Sequence, residues 1–207
     1  MTTSQTPTRT IHLVDDEEAV RDALAFLFET HGLEVHRYAS GPDLLAACDA
    51  GMPDGCILLD VRMEPMSGLQ VHDALIARGV RLPVIFLTGH GDIPMAVDAL
   101  HKGAFDFVEK PFSDTALVLR VMKALDLAAR QRHSRAAEDA LGQRLTSLTE
   151  REREVMLRVA AGKLNKVIAD ELCVSVRTIE VHRARVYDKL SVRSAAEVAA
   201  LLARRRP

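Results

Sequence analysis

Four apolar runs in this chain each end in residues able to do polar chemistry. Ile11-His12-Leu13-Val14 runs into Asp15-Asp16, Ile57-Leu58-Leu59 into Asp60, Val84-Ile85-Phe86-Leu87 into Thr88, and Phe105-Asp106-Phe107-Val108 into Glu109-Lys110. A short apolar run reads as a buried strand. The residue just past it then lies at the C-terminal edge of a parallel sheet, where open α/β sheets bind ligands. Singly, each has a plainer reading: Asp15-Asp16 as a helix start, Asp60 and Thr88 as turn residues, Lys110 as a surface lysine. Together they bring carboxylates, a hydroxyl and an ammonium to one edge, which suits a divalent metal and a phosphoryl group. Asp15, Asp16 and Asp60, with water and a backbone carbonyl, fit an octahedral Mg2+. Asp60 would be the nucleophile toward a phosphoryl donor. Thr88 would donate a hydrogen bond to that group, and Lys110 would pair with it as a point charge.

The elements that must position these residues are legible around them. Residues 10–14, 33–38, 57–59, 83–87 and 105–108 read as strands. A helix over 17–31 carries Val20, Leu24, Leu27 and Phe28 at helical spacing and stops at Gly32. Ser40 caps a second helix, Met66-Ser67-Gly68 opens a third that ends at Gly79, and Asp92 caps a fourth with Pro94 in its first turn. A fifth helix spans 114–130. Strands alternating with helices predict an α/β fold, a doubly wound five-stranded parallel sheet with right-handed crossovers and helices on both faces.

From Ala128 to Gln143 the apolar face thins out, which predicts a solvated helical linker with a break at Gly142. Thr149 and Glu152 then form a capping box ahead of Val155, Met156 and Val159. Short helices follow over 165–172, over 176–190 behind the cap Ser175, and after the cap Ser194, where Ala195, Val198, Ala199 and Leu202 share a stripe that could pair the DNA-binding domains of two copies. Two short helices about a tight turn, the second rich in Arg and Thr, fit a helix-turn-helix within a small all-α, four-helix domain.

Charge separates the two halves. Residues 1–148 carry 14 basic and 21 acidic residues, and residues 149–207 carry 13 basic and 8 acidic, although the whole chain is only −2. The basic back half points to nucleic acid. No stretch is long and apolar enough for a membrane span, and Met1 to Thr10 is polar without a secretory apolar core, so a cytoplasmic protein is expected. Cys48, Cys56 and Cys173 lack metal-like spacing and read as reduced thiols. Cys173 falls in the turn of the helix-turn-helix. A small turn residue is its plain reading, since redox sensing has no partner Cys nearby in sequence.

The motifs Val14-Asp15-Asp16, Asp60 with Met63 and Gly68, Thr88-Gly89-His90-Gly91-Asp92 and Phe107-Val108-Glu109-Lys110-Pro111-Phe112 resemble the receiver domain of bacterial two-component response regulators. The likeness spans about residues 10–124 and implies a flavodoxin-like fold. It also implies that Asp60 is the phosphoacceptor of a partner histidine kinase, and that Asp15, Asp16, Asp60 and the carbonyl of Arg62 surround Mg2+. Thr88 and Lys110 are then the phosphoryl-binding residues, Thr88 and Phe107 the switch residues, and Lys110–Pro111 a cis bond. Core packing is the plain reading of Phe107, and both can hold. Family members usually carry Pro four residues after the phosphoacceptor. Here Glu64 stands there and Pro65 follows, so a charge sits on the loop leaving the site.

The back half resembles the LuxR-type DNA-binding domain through Leu148-Thr149-Glu150-Arg151-Glu152, Asn165-Lys166-Val167-Ile168-Ala169 and Arg177-Thr178-Ile179-Glu180-Val181-His182-Arg183. The combination is similar to the FixJ branch of the NarL/FixJ family. It implies a linker over 125–141, a DNA-binding domain over 142–207 and a helix-turn-helix over 165–184. Arg177, Thr178, Glu180, Val181 and Arg185 are the candidates to read base edges, and Lys163, Lys166 and Arg183 to hold phosphates. Many relatives carry Lys where Glu180 stands. The implied function is a phosphorylation-controlled transcription regulator, an activator in the reading adopted, with double-stranded DNA and RNA polymerase as partners and a homodimer as the phosphorylated form, to which Ile93, Val97 and Leu100 would contribute. Two other readings compete. One is a relay acting through protein contacts, which the basic half disfavours. The other is a phosphatase-like enzyme with an aspartyl-phosphate, for which no substrate pocket is evident.

Overall fold

The computed structural model describes residues 9–89 and 98–203. The chain forms two compact units, Met1–His133 and Ser134–Pro207. The first holds β1 (Thr10–Val14), α1 (Glu18–Thr30), β2 (Glu34–Tyr38), α2 (Gly41–Asp49), β3 (Gly55–Asp60), α3 (Gly68–Ala77), β4 (Val84–Thr88) and β5 (Asp106–Glu109). Residues 98–101 are also helical. The cap expected at Asp92, and Ile93, Pro94 and Val97 after it, lie outside the described residues. The sheet is parallel throughout, in the order β2-β1-β3-β4-β5.

Every residue of β1, β3 and β4 is buried, because helices cover both faces of the central strands. Strand alternation sorts the core into two layers. Ile11, Leu13, Leu58, Ile85 and Leu87 pack with Leu24, Phe28, Leu117 and Val121. Val14, Ile57, Leu59 and Phe86 pack with Leu44, Val71 and Leu75. In register, Val14 pairs with Leu59 and Asp60 with Leu87, so the strand ends come level at one edge.

Local signals start the helices that flank that edge. Ser40 accepts from the backbone N–H of Asp43 ahead of α2. Ser67 and Gln70 form a capping box ahead of α3, one that the sequence reading had not identified. Gly68 is required at the first position of α3, since a Cβ there would lie 2.1 Å from the carbonyl oxygen of Asp60.

A long helix, α4 (Asp114–Thr146), replaces the expected shorter helix and broken linker. It runs straight through Gly142. Ala136, Ala137, Ala140, Leu141, Gln143 and Arg144 are strong helix formers, and together they outweigh about 1 kcal/mol lost at a single Gly.

The second unit adds α5 (Glu150–Ala160), α6 (Asn165–Glu171), α7 (Val176–Leu190) and α8 (Ala195–Ala203). The Thr149–Glu152 capping box is present, and buried Glu152 is also paired with Lys189 at 2.7 Å. The stripe on α8 faces inward and is not a free surface. Val198 is fully buried with Leu145, Met156, Val186 and Leu190, Leu202 packs on the same cluster, and Ala195 packs on a second one. Such a small domain uses the stripe to close its own core. The turn between α6 and α7 holds exposed Cys173 in the left-handed region at φ 53°. Of the other thiols, Cys48 is half-buried with its Sγ 3.0 Å from Met52 Sδ, and Cys56 is fully buried.

Candidate functional site

The strand ends of the first unit bring Asp15, Asp60, Thr88 and Lys110 together. Asp15, Asp60 and Thr88 are buried, Lys110 is half-buried and Asp16 is exposed. Lys110 Nζ donates to Asp60 Oδ1 at 2.7 Å and to Asp15 Oδ2 at 3.2 Å. The other carboxylate oxygens are held by backbone: Arg62 N–H donates to Asp60 Oδ2 at 2.7 Å, and Glu17 N–H to Asp15 Oδ1 at 2.9 Å. Lys110 is itself anchored, its N–H donating to the Thr88 carbonyl at 2.7 Å. Thr88 Oγ1 donates to the Gly89 carbonyl at 3.1 Å. The Lys110–Pro111 bond is cis, and so is Glu64–Pro65, which nothing in the sequence reading anticipated.

Burial pushes the Asp60 carboxyl up, and the neighbouring Asp15 charge adds to this. The hydrogen bond and charge of Lys110 and the N–H of Arg62 pull the other way without cancelling it. Burial pulls the Lys110 ammonium down, but its hydrogen bond to Asp60 and the two carboxylate charges prevail, and its pKa is raised. Two carboxylates, Asp15 and Asp60, share one ammonium here, so negative charge is in excess, which fits a hard divalent cation. Among the described residues, no group of three or more His, Cys, Asp or Glu side chains already converges as a metal cage. Phe107 is half-buried on β5. Its ring lies 5.8 Å from that of Phe86, which meets His72 edge-on at 5.4 Å.

In the second unit, Ile179, Val186 and Leu190 turn the inner face of α7 into the core. Arg177, Glu180, Val181 and Arg185 are exposed on its outer side, and Thr178 is half-buried, its hydroxyl 2.8 Å from that of the cap Ser175. Lys166 is exposed on α6. Lys166, Arg177 and Arg185 make no hydrogen bond or ion pair among the described residues, whereas two of the other expected phosphate ligands are engaged. Lys163 pairs with Glu171, which also takes Arg158 at 2.9 Å. Arg183 donates to Asn165 Oδ1 and to Tyr187 Oη at 2.6 Å, with its guanidinium over the Tyr187 ring. Arg183 therefore ties the start of α6 to α7. The i,i+4 spacing of Arg183 and Tyr187 signals their contact within α7, whereas the bond to Asn165 has no local sequence signal.

Two domains of known type cover most of the chain. Residues 11–122 match the response regulator receiver domain, and residues 146–202 match the bacterial regulatory proteins of the luxR family. The chain is 48% identical over 193 residues to the C4-dicarboxylate transport transcriptional regulatory protein DctR of Rhodobacter capsulatus, covering 92% of this chain and 97% of that one. It is 44% identical over 190 residues to the transcriptional regulatory protein FixJ of Azorhizobium caulinodans, covering 91% and 89%. Among solved structures, response regulator StyR superposes with a TM-score of 0.89 at 38% identity, over 95% of this chain and 99% of that one. Full-length FixJ from B. japonicum gives 0.60 at 38% identity, over 96% and 98%.

A receiver joined to a LuxR-type helix-turn-helix defines a DNA-binding response regulator, a transcriptional regulator and not an enzyme. The phosphatase-like reading therefore falls. The chain belongs to the NarL/FixJ family of two-component response regulators.

Proposed function

We propose that Asp60 accepts a phosphoryl group from the phosphohistidine of a partner kinase and that this controls transcription. The observation that carries the reading is a buried carboxylate at the sheet edge, held by a lysine that also grips Asp15. An Asp60 oxygen attacks phosphorus, the P–N bond breaks, and the imidazole leaves with the electron pair and takes up a proton. Asp15, Asp16, Asp60 and the Arg62 carbonyl would hold Mg2+, whose contribution is to neutralise charge between these carboxylates and the phosphoryl oxygens. Lys110 pairs with a phosphoryl oxygen, and the Thr88 hydroxyl turns from the Gly89 carbonyl toward it. Phe107, half-buried, follows into the space Thr88 leaves.

The switched surface includes Leu100, 43% exposed, and would mediate a homodimer. Ile93 and Val97, also expected there, lie outside the described residues. The output half, 142–207 behind a linker over 125–141, would place α7 in the major groove. Arg177, Thr178, Glu180, Val181 and Arg185 would meet bases and Lys166 a phosphate. Lys163 and Arg183 would first have to leave Glu171, Asn165 and Tyr187. The protein would work in the cytoplasm and activate transcription through RNA polymerase. Asp60→Asn tests the reading, because an amide is not a nucleophile here. Incubation with Mg2+ and a small acyl phosphate should label the wild type and leave the variant unlabelled. Labelling of the variant at the normal rate would refute the assigned site.

A further inference from the structure

A cleft opens in the receiver unit at the sheet edge opposite Asp60. It measures about 640 Å3 and is lined by residues just before β4 and β5, together with residues of α3 and α4. That volume lies in the range of small-molecule sites. Leu75, Leu82, Phe105 and Leu127 give it apolar walls, and no Asp or Glu among the described residues lines it. His72 of α3 also lines it and is only 4% exposed. Its ring meets Phe86 edge-on, yet it makes no hydrogen bond among the described residues. Neither of its nitrogens is sealed off, because the one sealed and unpartnered side-chain nitrogen or oxygen among the described residues belongs to His182. The small opening that His72 keeps therefore includes its nitrogens and gives onto the cleft. An imidazole buried this deeply without a partner is a cost that an apolar side chain would avoid. Burial lowers its pKa, opposed by the charge of Asp73 and assisted by that of Lys102. The ring is thus neutral at neutral pH, with one nitrogen a donor and the other an acceptor.

Charge at the mouth narrows what would fit. Lys102 lines the cleft but is already neutralised, by Asp73 at 3.1 Å and Asp98 at 3.3 Å. Arg81 lines it too, is exposed, and makes no hydrogen bond or ion pair among the described residues. One uncompensated cation matches a single negative charge, and a guanidinium fork pairs best with a planar carboxylate. A phosphate dianion would meet no second free cation among the described lining residues and would leave the apolar walls uncovered. We infer that this cleft is a binding site for a small carboxylic acid that carries an apolar body and a hydroxyl. The carboxylate pairs with Arg81, and the body covers Leu75, Leu82, Phe105 and Leu127. The hydroxyl, able to donate or accept, meets the ring of His72. The site lies apart from Asp60 and does not depend on its phosphorylation.

Isotope-labelled full-length protein is titrated by NMR with para-hydroxyphenyl acetate, propanoate and butanoate, three acids of increasing reach. Their phenyl analogues lack the hydroxyl, and plain acetate is the control. At least one hydroxy acid should bind with a Kd of about 1 mM or tighter. It should move the His72 ring signals as it saturates, and should bind about fivefold more tightly than its phenyl analogue. Arg81→Ala should weaken it about fivefold. Arg78→Ala, which removes an exposed arginine outside the cleft, should leave it unchanged. His72→Leu should erase the advantage of the hydroxyl and leave the phenyl analogue bound as before. If none of the three acids binds more tightly than acetate, the inference is overturned. Full affinity in Arg81→Ala overturns it as well, and so does a hydroxyl advantage that survives His72→Leu. Should His72→Leu fail to fold, the His72 ring signals of the wild type decide: a ring unmoved at saturation refutes the site.

Discussion

At Asp60 and Lys110 the chemistry follows from residue type and strand position, so the sequence alone brought Asp15, Asp60, Thr88 and Lys110 to one edge. Lys110's double grip, on Asp60 through its ammonium and on Thr88 through its backbone, was not legible, because it depends on the register between strands far apart in the chain. His12 was hidden in the same way. It reads as an odd residue in an apolar run, yet it is fully buried, and its partners come from β2 and a distant loop. Nε2 donates to the Pro53 carbonyl at 3.0 Å, so the Tyr38 hydroxyl must donate to Nδ1 at 3.2 Å. Burial lowers its pKa from 6.5 to about 4, partly opposed by the Pro53 hydrogen bond. The unfolded chain thus binds a proton that the folded chain refuses between these values. Stability from this group is complete above pH 6.5 and declines as pH falls toward 4, by about 2 kcal/mol at pH 5. Receiver unfolding by urea at pH 7.5 and pH 5 should show that loss in wild type and a smaller one in His12→Gln. Glu64 makes the opposite point. It is exposed on the loop beyond Asp60, so Glu64→Gln should leave labelling and decay of Asp60-phosphate within about twofold of wild type. A tenfold change, worth about 1.4 kcal/mol, would show its charge acting at the site.

At the scale of the elements, strands were read to within two residues and the caps Ser40, Thr149, Ser175 and Ser194 correctly, because periodicity and capping are local. The long α4 was misread because one Gly was given more weight than the helix formers around it. The α8 stripe was misread for a different reason: an apolar stripe says that something covers it, not whether the cover comes from the same chain. Gly68 ties element to site most tightly, since a helix start and a strand end meet there at the Asp60 carbonyl. Gly68→Ala should destabilise the receiver by about 1–3 kcal/mol by overpacking. It should also slow phosphorylation more than that loss of folded protein explains, which comparing labelling rates at matched folded fractions would show. Equal rates would mean that the loop absorbs the methyl group without moving Asp60.

For the whole molecule, charge was the informative sequence signal. Residues 149–207 are basic, their unit has its own two-part core, and Lys166, Arg177 and Arg185 make no ion pair among the described residues. A fragment of residues 134–207 should therefore fold and bind duplex DNA without the receiver. Its affinity should fall as salt rises, with a log–log slope of at least about −0.9 for the phosphate contact of Lys166 and steeper by about as much for each further phosphate neutralised. Affinity that ignored salt would favour a relay working through protein contacts. Which basic residues stay free for phosphate was not legible, because Lys163 and Arg183, expected on phosphates, are held by Glu171, Asn165 and Tyr187, and only folding brings those partners together.

The three thiols offer the experimenter a ready-made handle. Burial pushes Cys56 up to about 12 and also raises Cys48, half-shielded beside Met52. Cys173 stands exposed at the bend between α6 and α7. A maleimide dye added briefly at neutral pH should therefore mark that bend selectively in the natural sequence. It would place a fluorescent reporter at the tip of the reading head without a single cysteine having to be engineered in or out.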